Sequence, residues 1–293
     1  MDKFLVFLGC SKKQLTYLKE IKKLNYKVIL IDQNQKSPGI KISDIFYNYS
    51  YMDFKKLDKV YKEIKTKNVV NIFTASSQYA HLGCSYLANK LGLKYPSLKN
   101  IDLCLNKKSF YRFFKKNNLK IPDSHSIKNK KELKEYFKKN NNNYYYYLKS
   151  DYGKSPFYIY KGSSKKILNA NINWKKNQFF KKEYILQKKF TGKNLRINIF
   201  KNKFEVYNFI NNKLIKKNEI IQIKKFKIIE KLQEISKKLK MKNWVLKFDV
   251  IINKHDYVVL DIGMDPPSRM LRNWNKNNKN FYNFYIKLYL RNK

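Results

Sequence analysis

The stretch that decides the fold reads Trp244-Val-Leu-Lys-Phe-Asp-Val-Ile-Ile-Asn-Lys-His-Asp-Tyr-Val-Val-Leu-Asp261. Two β-rich runs flank the polar residues 253–256, which is the pattern of a β-hairpin. The runs carry Asp249 and Asp261, twelve positions apart, each beside large apolar neighbours. Because buried carboxylates need a cation, two of them on adjacent strands favour a site for a hard ion such as Mg²⁺, completed by phosphate oxygens. The alternative is two unrelated aspartates at strand ends, one capped and one solvated.

The length and composition indicate a globular protein. The chain has 293 residues, enough for one large domain or two to three small ones with real cores. No stretch approaches about 20 uninterrupted apolar residues, and residues 1–9 become polar too soon for a secretory signal. The three cysteines, Cys10, Cys84 and Cys104, lack CxxC spacing, which favours reduced structural thiols. We therefore expect a cytoplasmic protein without membrane insertion.

The formal net charge of +44 invites a nucleic-acid interpretation, because lysine and arginine neutralise phosphates. Only five of the 65 basic residues are arginines, however, and the lysines are scattered along the whole chain. Specific nucleic-acid readers favour arginine for its bidentate fork. The abundance of lysine, asparagine, isoleucine and tyrosine indicates a coding bias instead. We expect non-specific polyanion binding at low salt and no specific nucleic-acid partner.

The first hundred residues alternate apolar runs with helix-like stretches. The apolar runs are 3–9, 26–32 and 69–74, and the helix-like stretches are 14–24 and 78–91. This alternation predicts an open parallel sheet with ligands at the carboxyl ends of its strands. The turn that begins at Gly9 is not GxGxxG, so the dinucleotide fingerprint is absent.

The rest of the chain predicts a mixed α+β arrangement. Its elements are a basic amphipathic helix at 106–118, strands at 145–149 and 157–160, antiparallel strands within 184–210 and a helix at 226–239. The loop 150–156 carries one glycine and joins the first two strands. Such a loop can fold its backbone N–H groups over phosphates, although glycine is scarce in this one.

Taken together, these motifs resemble the ATP-grasp superfamily, and most of all its carbamoyl-phosphate-synthetase-like and biotin-carboxylase-like branch. Residues 4–54 are similar to the family's N-terminal pre-ATP-grasp domain, with a strand ending in glycine, a helix and a second strand ending in aspartate. Asn106-Lys107, followed by Pro122, is similar to the "DK…f…P" motif of the nucleotide site. Tyr147-Leu-Lys149 is similar to the "iiKP" strand.

The resemblance implies a fold of the α/β and α+β classes. A Rossmann-like open parallel sheet, the pre-ATP-grasp domain, would occupy residues 1–102, and a two-subdomain ATP-grasp domain would occupy residues 103–293. Within it, a lid subdomain would span about 122–189 and a C-terminal subdomain about 190–293. ATP with Mg²⁺ would lie between the two subdomains.

The resemblance also assigns two lysines to the phosphates. Lys107 and Lys149 would hold the α- and β-phosphates as point charges and leave the γ-phosphoryl group free to move. Lys108, next to Lys107, is the competing choice. For Lys149 the alternative is an ordinary solvated lysine, although it ends an apolar strand.

Residues 185–192 resemble the "vlvEe.i.G.E" hinge, where the adenine stacks in an apolar slot and an acid holds the ribose. Gln187, Lys188 and Phe190 fall on this hinge, and Asn194 falls on the acid of "G.E". Gln187 replaces the usual glutamate, and both amides can still hydrogen-bond a ribose or an adenine without charge. The alternative for Asn194 is an outward polar position on a strand.

Asp249 and Asp261 fall on the "DF…E.N.R" ending, which implies that they are the magnesium carboxylates. Aspartate replaces glutamate at 261, Gly263 occupies the usual asparagine ligand, and Asp265 occupies the usual phosphate-binding arginine. These departures remove one metal ligand and one cation from the family's pattern.

We infer that Arg269 or Arg272 supplies the missing cation and acts in catalysis, by reaching back over residues 266–268 to the phosphates. The alternative is that these arginines pair with Asp265 or Asp261. Both arginines follow the acids closely in a chain in which arginine is rare.

The activity that the resemblance implies is an ATP-dependent ligase of the carboxylate–amine type. ATP would phosphorylate a small-molecule carboxylate, and an amine would displace phosphate from the acyl phosphate. Positioning and electrostatics carry such a reaction, which agrees with three scattered histidines and no nucleophile triad. The alternative, motivated by Gly263, Asp265 and Gln187, is a non-catalytic nucleotide-binding or regulatory protein that retains the fold.

Overall fold

The computed structural model describes residues 2–140, 144–152, 159–172, 174, 183–209, 213, 215, 221–277 and 280–290. The predicted phosphate loop 150–156 therefore lies outside the described residues after Tyr152, and the side chain of Arg269 lies outside them as well. None of the described helices combines the length and the apolarity that a membrane span requires.

The N-terminal region forms a four-stranded parallel sheet, as its alternating pattern predicts. Its elements are β1 (Phe4–Leu8), α1 (Leu15–Lys23), β2 (Lys27–Ile31), β3 (Ile45–Tyr47), α2 (Phe54–Ile64), β4 (Val69–Phe73) and α3 (Ala80–Lys90). The strand order is β3-β2-β1-β4. Alternate side chains of each buried strand enter two different cores, because successive residues of a strand point to opposite faces. Helix α1 covers one face, and helices α2 and α3 cover the other.

Two consecutive helices, α4 (Leu98–Leu105) and α5 (Lys107–Lys116), lead into the next region. The second begins at its cap Asn106, whose side chain accepts a hydrogen bond from the N–H of Ser109 at 2.8 Å. This cap satisfies a backbone donor that the first turn of a helix leaves without a partner. It also fixes the position of Lys107, the first residue of α5.

The second sheet, which we call the lid sheet, is antiparallel and has the order β5-β8-β6-β7. Its elements are β5 (Ser124–Ile127), α6 (Lys130–Lys139), β6 (Tyr146–Ser150), β7 (Ile159–Gly162), α7 (Ser164–Leu168) and β8 (Tyr184–Lys188). One face, with Leu148 and Leu186, packs against α6 and α7. The opposite face carries Lys149 and Gln187.

The third sheet, the C-terminal sheet, has the antiparallel order β10-β9-β11-β12. Its elements are β9 (Lys193–Phe200), β10 (Lys203–Asn208), α8 (Ile221–Lys225), α9 (Ile228–Lys238), β11 (Leu246–Ile252), β12 (Tyr257–Gly263), α10 (Ser268–Lys276) and α11 (Phe281–Leu290). The predicted hairpin is confirmed. Asn253 closes its turn by accepting hydrogen bonds from the N–H groups of His255 and Asp256, at 2.9 and 2.8 Å.

Helix α11 returns to the N-terminal region. Tyr285 and Tyr289 pack against Phe73 of β4, with ring centroids 5.9 and 4.6 Å from it. The amide of Asn71 donates a hydrogen bond to the carbonyl of Tyr289 at 2.8 Å. The end of the chain thus joins the core of the parallel sheet to the core behind the C-terminal sheet.

Candidate active site

A cavity of about 530 Å³ lies between the lid sheet and the C-terminal sheet. Four of its described lining side chains are basic: Lys107, Lys149, Arg196 and Lys247. Three others, Asp249, Asp261 and Asp265, are acidic. The volume lies within the range of small-molecule sites. Charges from both sheets and from the start of α5 therefore meet in one place.

Lys149 lies on the cavity face of β6 and is held by a phenol. Its Nζ donates a hydrogen bond to the hydroxyl of Tyr111 at 3.3 Å and lies 5.9 Å from the centroid of that ring. Burial lowers the pKa of Lys149 to about 8, although the nearby carboxylates of Asp261 and Asp249 favour its charged form. The lysine is thus a desolvated cation that an anionic ligand would stabilise.

Tyr111 of α5 connects the two walls of the cavity. Its hydroxyl donates to the carbonyl of Leu260 on β12 at 2.9 Å and accepts from Nε2 of Gln187 on β8 at 3.0 Å. Sequence reasoning missed this residue, because the pattern of residues 106–118 predicts only a basic amphipathic helix. The one available signal was a tyrosine on the apolar side of that helix, since a buried hydroxyl needs polar partners.

Lys107 and Lys108 face different surroundings, as consecutive residues of a helix do. Lys107 is buried and lines the cavity, and its N–H donates to the carbonyl of Asp151. Lys108 forms an ion pair with Glu183 at 2.7 Å. Burial, followed by Glu183, raises the pKa of Asp151 to about 6, and Lys107 opposes this shift. Of the two candidate lysines, Lys107 is therefore the one at the cavity.

Asp249 and Asp261 lie directly opposite each other on β11 and β12, and both line the cavity. The ladder is irregular immediately after Asp249. One oxygen of Asp261 accepts a hydrogen bond from the N–H of Ile262 at 3.0 Å. The turn thus brings the two carboxylates to the same end of the hairpin, and the irregularity after Asp249 places them opposite each other.

Arg196 of β9 lies on the other side of Asp249 and binds it with two parallel hydrogen bonds. Nε donates to Oδ1 at 2.7 Å and a terminal guanidinium nitrogen donates to Oδ2 at 2.8 Å. The two side chains are only 15% and 19% exposed. Burial disfavours the charged guanidinium, but Asp249 outweighs it, so the pKa of Arg196 is raised. Sequence reasoning missed Arg196, and its signal was the rarity of arginine in this chain.

Asp265, which stands at the usual position of an arginine, is paired with a lysine. Its carboxylate forms an ion pair with Lys247 of β11, and both residues line the cavity. Lys247 and Asp249 are two positions apart and therefore share one face of the strand. The cations next to the acids of this wall are thus Lys247 and Arg196.

Of the residues predicted at the hinge, two lie at the cavity or on its face of the lid sheet and two do not. Asn194 lines the cavity, and Gln187 is buried on the same face as Lys149. Lys188 lies on the opposite face of the lid sheet, with its Nζ 3.1 Å from the centroid of Tyr144. Phe190 is half-buried after β8 and is not among the described residues that line the cavity.

The structure describes the side chain of only one of the two arginines expected to supply a cation. Arg272 is exposed on α10 and does not belong to the described lining of the cavity, and the side chain of Arg269 lies outside the described residues. The helical geometry of α10 turns successive side chains around its axis, so a position close in sequence to the acids need not face them.

The two aspartates fit a magnesium ion in the kind of ligand they offer, since both present carboxylate oxygens to the same cavity. They fit it less well in charge, because Arg196 already neutralises Asp249. Within the described ranges, no group of three or more His, Cys, Asp or Glu side chains could hold a metal ion. A magnesium ion would therefore depend on Asp261 and on phosphate oxygens for most of its ligands.

The cavity fits a nucleotide in its distribution of polar and apolar groups. The basic side chains lie where phosphates could meet them, and apolar side chains, among them Ile159, Val250 and Leu260, offer contact surface for a base. Neutral amides and backbone groups can hydrogen-bond a base or a sugar without charge. This lining therefore suits a ligand that has phosphate groups at one end and an aromatic base at the other.

Neither a protein-family model nor a curated protein sequence matches the chain. Solved structures do match. An L-amino acid ligase from Bacillus licheniformis superposes with a TM-score of 0.75 at 14% identity, over 99% of this chain and 74% of that one. The D-alanine–D-alanine ligase from Bacillus anthracis gives a TM-score of 0.65 at 14% identity, over 100% and 97%.

A third similar structure contains nucleotide. The biotin carboxylase domain of the Hydrogenobacter thermophilus 2-oxoglutarate carboxylase, in complex with MgADP, ADP and bicarbonate, gives a TM-score of 0.73 at 12% identity. The superposition covers 98% of this chain and 69% of that one. At these identities the likeness concerns the fold. The chain has the ATP-grasp fold, with biotin-carboxylase-like proteins among its structural neighbours.

Proposed function

We propose that the protein is an ATP-dependent ligase of the carboxylate–amine type that holds its nucleotide between the lid sheet and the C-terminal sheet. One observation carries the proposal. Lys107 and Lys149 line the same cavity as Asp249 and Asp261, although the four residues come from three separate parts of the fold. Structural neighbours that are ligases support it further.

The side chains of the cavity suit the reaction of an acyl phosphate. Lys107 and Lys149 neutralise phosphate charge in a space from which the two sheets exclude much of the water. Asp261, with Asp249, would hold Mg²⁺, which supplies charge screening of the phosphates when it is bound. No protein nucleophile is required, because positioning and electrostatics suffice for phosphoryl transfer.

The proposal also includes the domain boundaries, the partners and the cellular compartment of the protein. Residues 1–102 form the pre-ATP-grasp domain, about 122–189 the lid subdomain and about 190–293 the C-terminal subdomain of an ATP-grasp domain that begins at 103. The partners are a small-molecule carboxylate and an amine, and the compartment is the cytoplasm. The hinge roles of Gln187 and Asn194 belong to the same proposal.

A second candidate function is nucleotide binding without turnover. The observation that favours it is the bidentate contact of Arg196 with Asp249, because this contact neutralises one of the two carboxylates available to a metal. A regulatory protein that retained the fold would keep nucleotide affinity and lose the transfer step.

The test is ADP release from Mg-ATP in the presence of pools of amino acids and carboxylic acids. We expect one pool to stimulate ADP release by the wild type and the variant Asp261→Asn to lose this stimulation. Asp58→Asn, on the surface of α2, is the matched control and should behave as the wild type. ATP binding without stimulation by any pool, unchanged in Asp261→Asn, would favour the non-catalytic alternative.

A further inference from the structure

Four side chains follow one another across the C-terminal sheet in a single row. Tyr207 of β10 is opposite Arg196 of β9, which is opposite Asp249 of β11, which is opposite Asp261 of β12. Paired residues of neighbouring strands lie on the same face, so the row presents one cation and two carboxylates to the cavity. The cation is part of the protein and is fixed by the ladder.

The contact between Arg196 and Asp249 does not use all the hydrogen-bond donors of the guanidinium. A guanidinium has five N–H donors, and the two bonds to Asp249 use one from Nε and one from a terminal nitrogen. Its carbon lies 5.2 Å from the ring centroid of Phe209, which also lines the cavity. A guanidinium is charged throughout the physiological pH range, so the side chain is a cation at the border of the space that phosphates would enter.

The balance of charge in the cavity depends on this residue. The described lining has four basic and three acidic side chains, so the described residues contribute an excess of one positive charge. Without Arg196 the two sets would be equal, and the adjacent carboxylates of Asp249 and Asp261 would face a polyphosphate directly. Like charges repel strongly where little water screens them, and an added cation such as Mg²⁺ would relieve this repulsion.

We propose that Arg196 is the resident cation of this site, and that a nucleoside diphosphate or triphosphate binds here without a divalent metal ion. The guanidinium neutralises Asp249 and donates N–H groups to the phosphates, for which its planar fork is well suited. The inference rests on the proposed function, because it uses the same nucleotide cavity. It goes beyond that function because it assigns to a side chain the neutralisation of charge that a metal ion usually provides.

The experiment measures the dissociation constant of ADP by calorimetry, in excess EDTA and again in Mg²⁺. The wild type is expected to bind ADP in EDTA within about threefold of its affinity in Mg²⁺. Arg196→Gln should bind about tenfold or more weakly in EDTA, because a charge-assisted contact is lost, and should recover most of the affinity in Mg²⁺. Arg112→Gln, exposed on α5, is the matched control and should follow the wild type in both conditions.

The outcomes separate this inference from the proposed function. If the wild type binds ADP in Mg²⁺ and loses the binding in EDTA, the inference is overturned and the nucleotide site stands. If ADP binds in neither condition, the nucleotide site itself is wrong. Should Arg196→Gln fail to fold, Arg196→Lys keeps the charge, and we expect it to retain metal-free binding within about fivefold of the wild type. Wild-type affinity of folded Arg196→Gln in EDTA, or loss of metal-free binding by folded Arg196→Lys, would overturn the inference.

Discussion

The two walls of the cavity differ in the partner of their basic side chain and in the direction in which its pKa is shifted. On the lid sheet, Lys149 lies against the neutral phenol of Tyr111, and burial lowers its pKa to about 8. On the C-terminal sheet, Arg196 lies against the carboxylate of Asp249, and its pKa is raised. The first cation gains from the arrival of a phosphate, whereas the second is already neutralised. We therefore expect Lys149 to contribute most to affinity in Mg²⁺, and Arg196 to contribute to stability through Asp249 and to affinity through its remaining N–H groups.

The largest expected effect tests the lid wall. We expect Lys149→Ala to weaken ADP binding by about 10- to 100-fold, since a hydrogen bond to a charged group contributes about 1.5–3 kcal/mol. Lys188→Ala is the matched control, because Lys188 lies on a neighbouring strand but on the opposite face. It should change the affinity by less than about twofold. Equal losses in the two variants, measured by calorimetry, would contradict the assignment of the cavity face.

The next effect concerns the stability of the C-terminal wall. Asp249→Ala leaves Arg196 without its counter-charge, and we expect a loss of about 2 kcal/mol in the free energy of unfolding, less than for a fully buried pair because this one borders a cavity. The double variant Arg196→Met with Asp249→Ala should be more stable than Asp249→Ala alone. Urea unfolding measures both, and equal destabilisation of single and double variants would show that the ion pair is not the cause.

The pH dependence of ADP binding probes the state of Lys149. Phosphate binds the protonated amine, and the folded pKa is lowered to about 8, so affinity should be full below that pH and fall as the pH rises through it. A loss of about tenfold between pH 7 and pH 9 follows from the protonated fraction. Lys149→Arg keeps its charge throughout this range and should show a flat profile. A sloping profile in that variant would assign the titration to another group.

The smallest expected effect comes from the hydroxyl that joins the walls. Tyr111→Phe removes the group that accepts from Lys149 and Gln187 and donates to Leu260. One hydrogen bond contributes about 1 kcal/mol net, so ADP binding should weaken by about three- to fivefold. Tyr136→Phe, on the helix behind the lid sheet, serves as the control. An affinity unchanged in Tyr111→Phe would mean that Lys149 is positioned by its strand alone.

Much of the fold and part of the site could be predicted from local sequence pattern. The alternation of apolar runs and helix-like stretches predicts the parallel sheet, and the turn at 253–256 predicts the hairpin. Because a strand has a period of two, Gln187 and Lys188 point to opposite faces of β8, although the resemblance assigns both to the hinge. The cap at Asn106 likewise marks the start of α5 and orients Lys107.

The sequence by itself determined the elements and which residues share a face, since these depend on spacings of a few positions. It did not determine that Asp249 and Asp261 lie opposite each other, because the register set by the turn pairs Val250 with Val259 and would place Asp249 opposite Leu260. The irregularity of the ladder after Asp249 shifts the pairing by one residue and brings Asp249 opposite Asp261. Only the tertiary structure decided that Arg196 forms hydrogen bonds with Asp249, and that the hydroxyl of Tyr111 contacts both walls of the cavity. Those contacts join residues 38 or more positions apart. The pairing register of distant strands and the packing of a helix between sheets depend on the whole core, and a slip of one residue would turn every side chain of a strand to its other face.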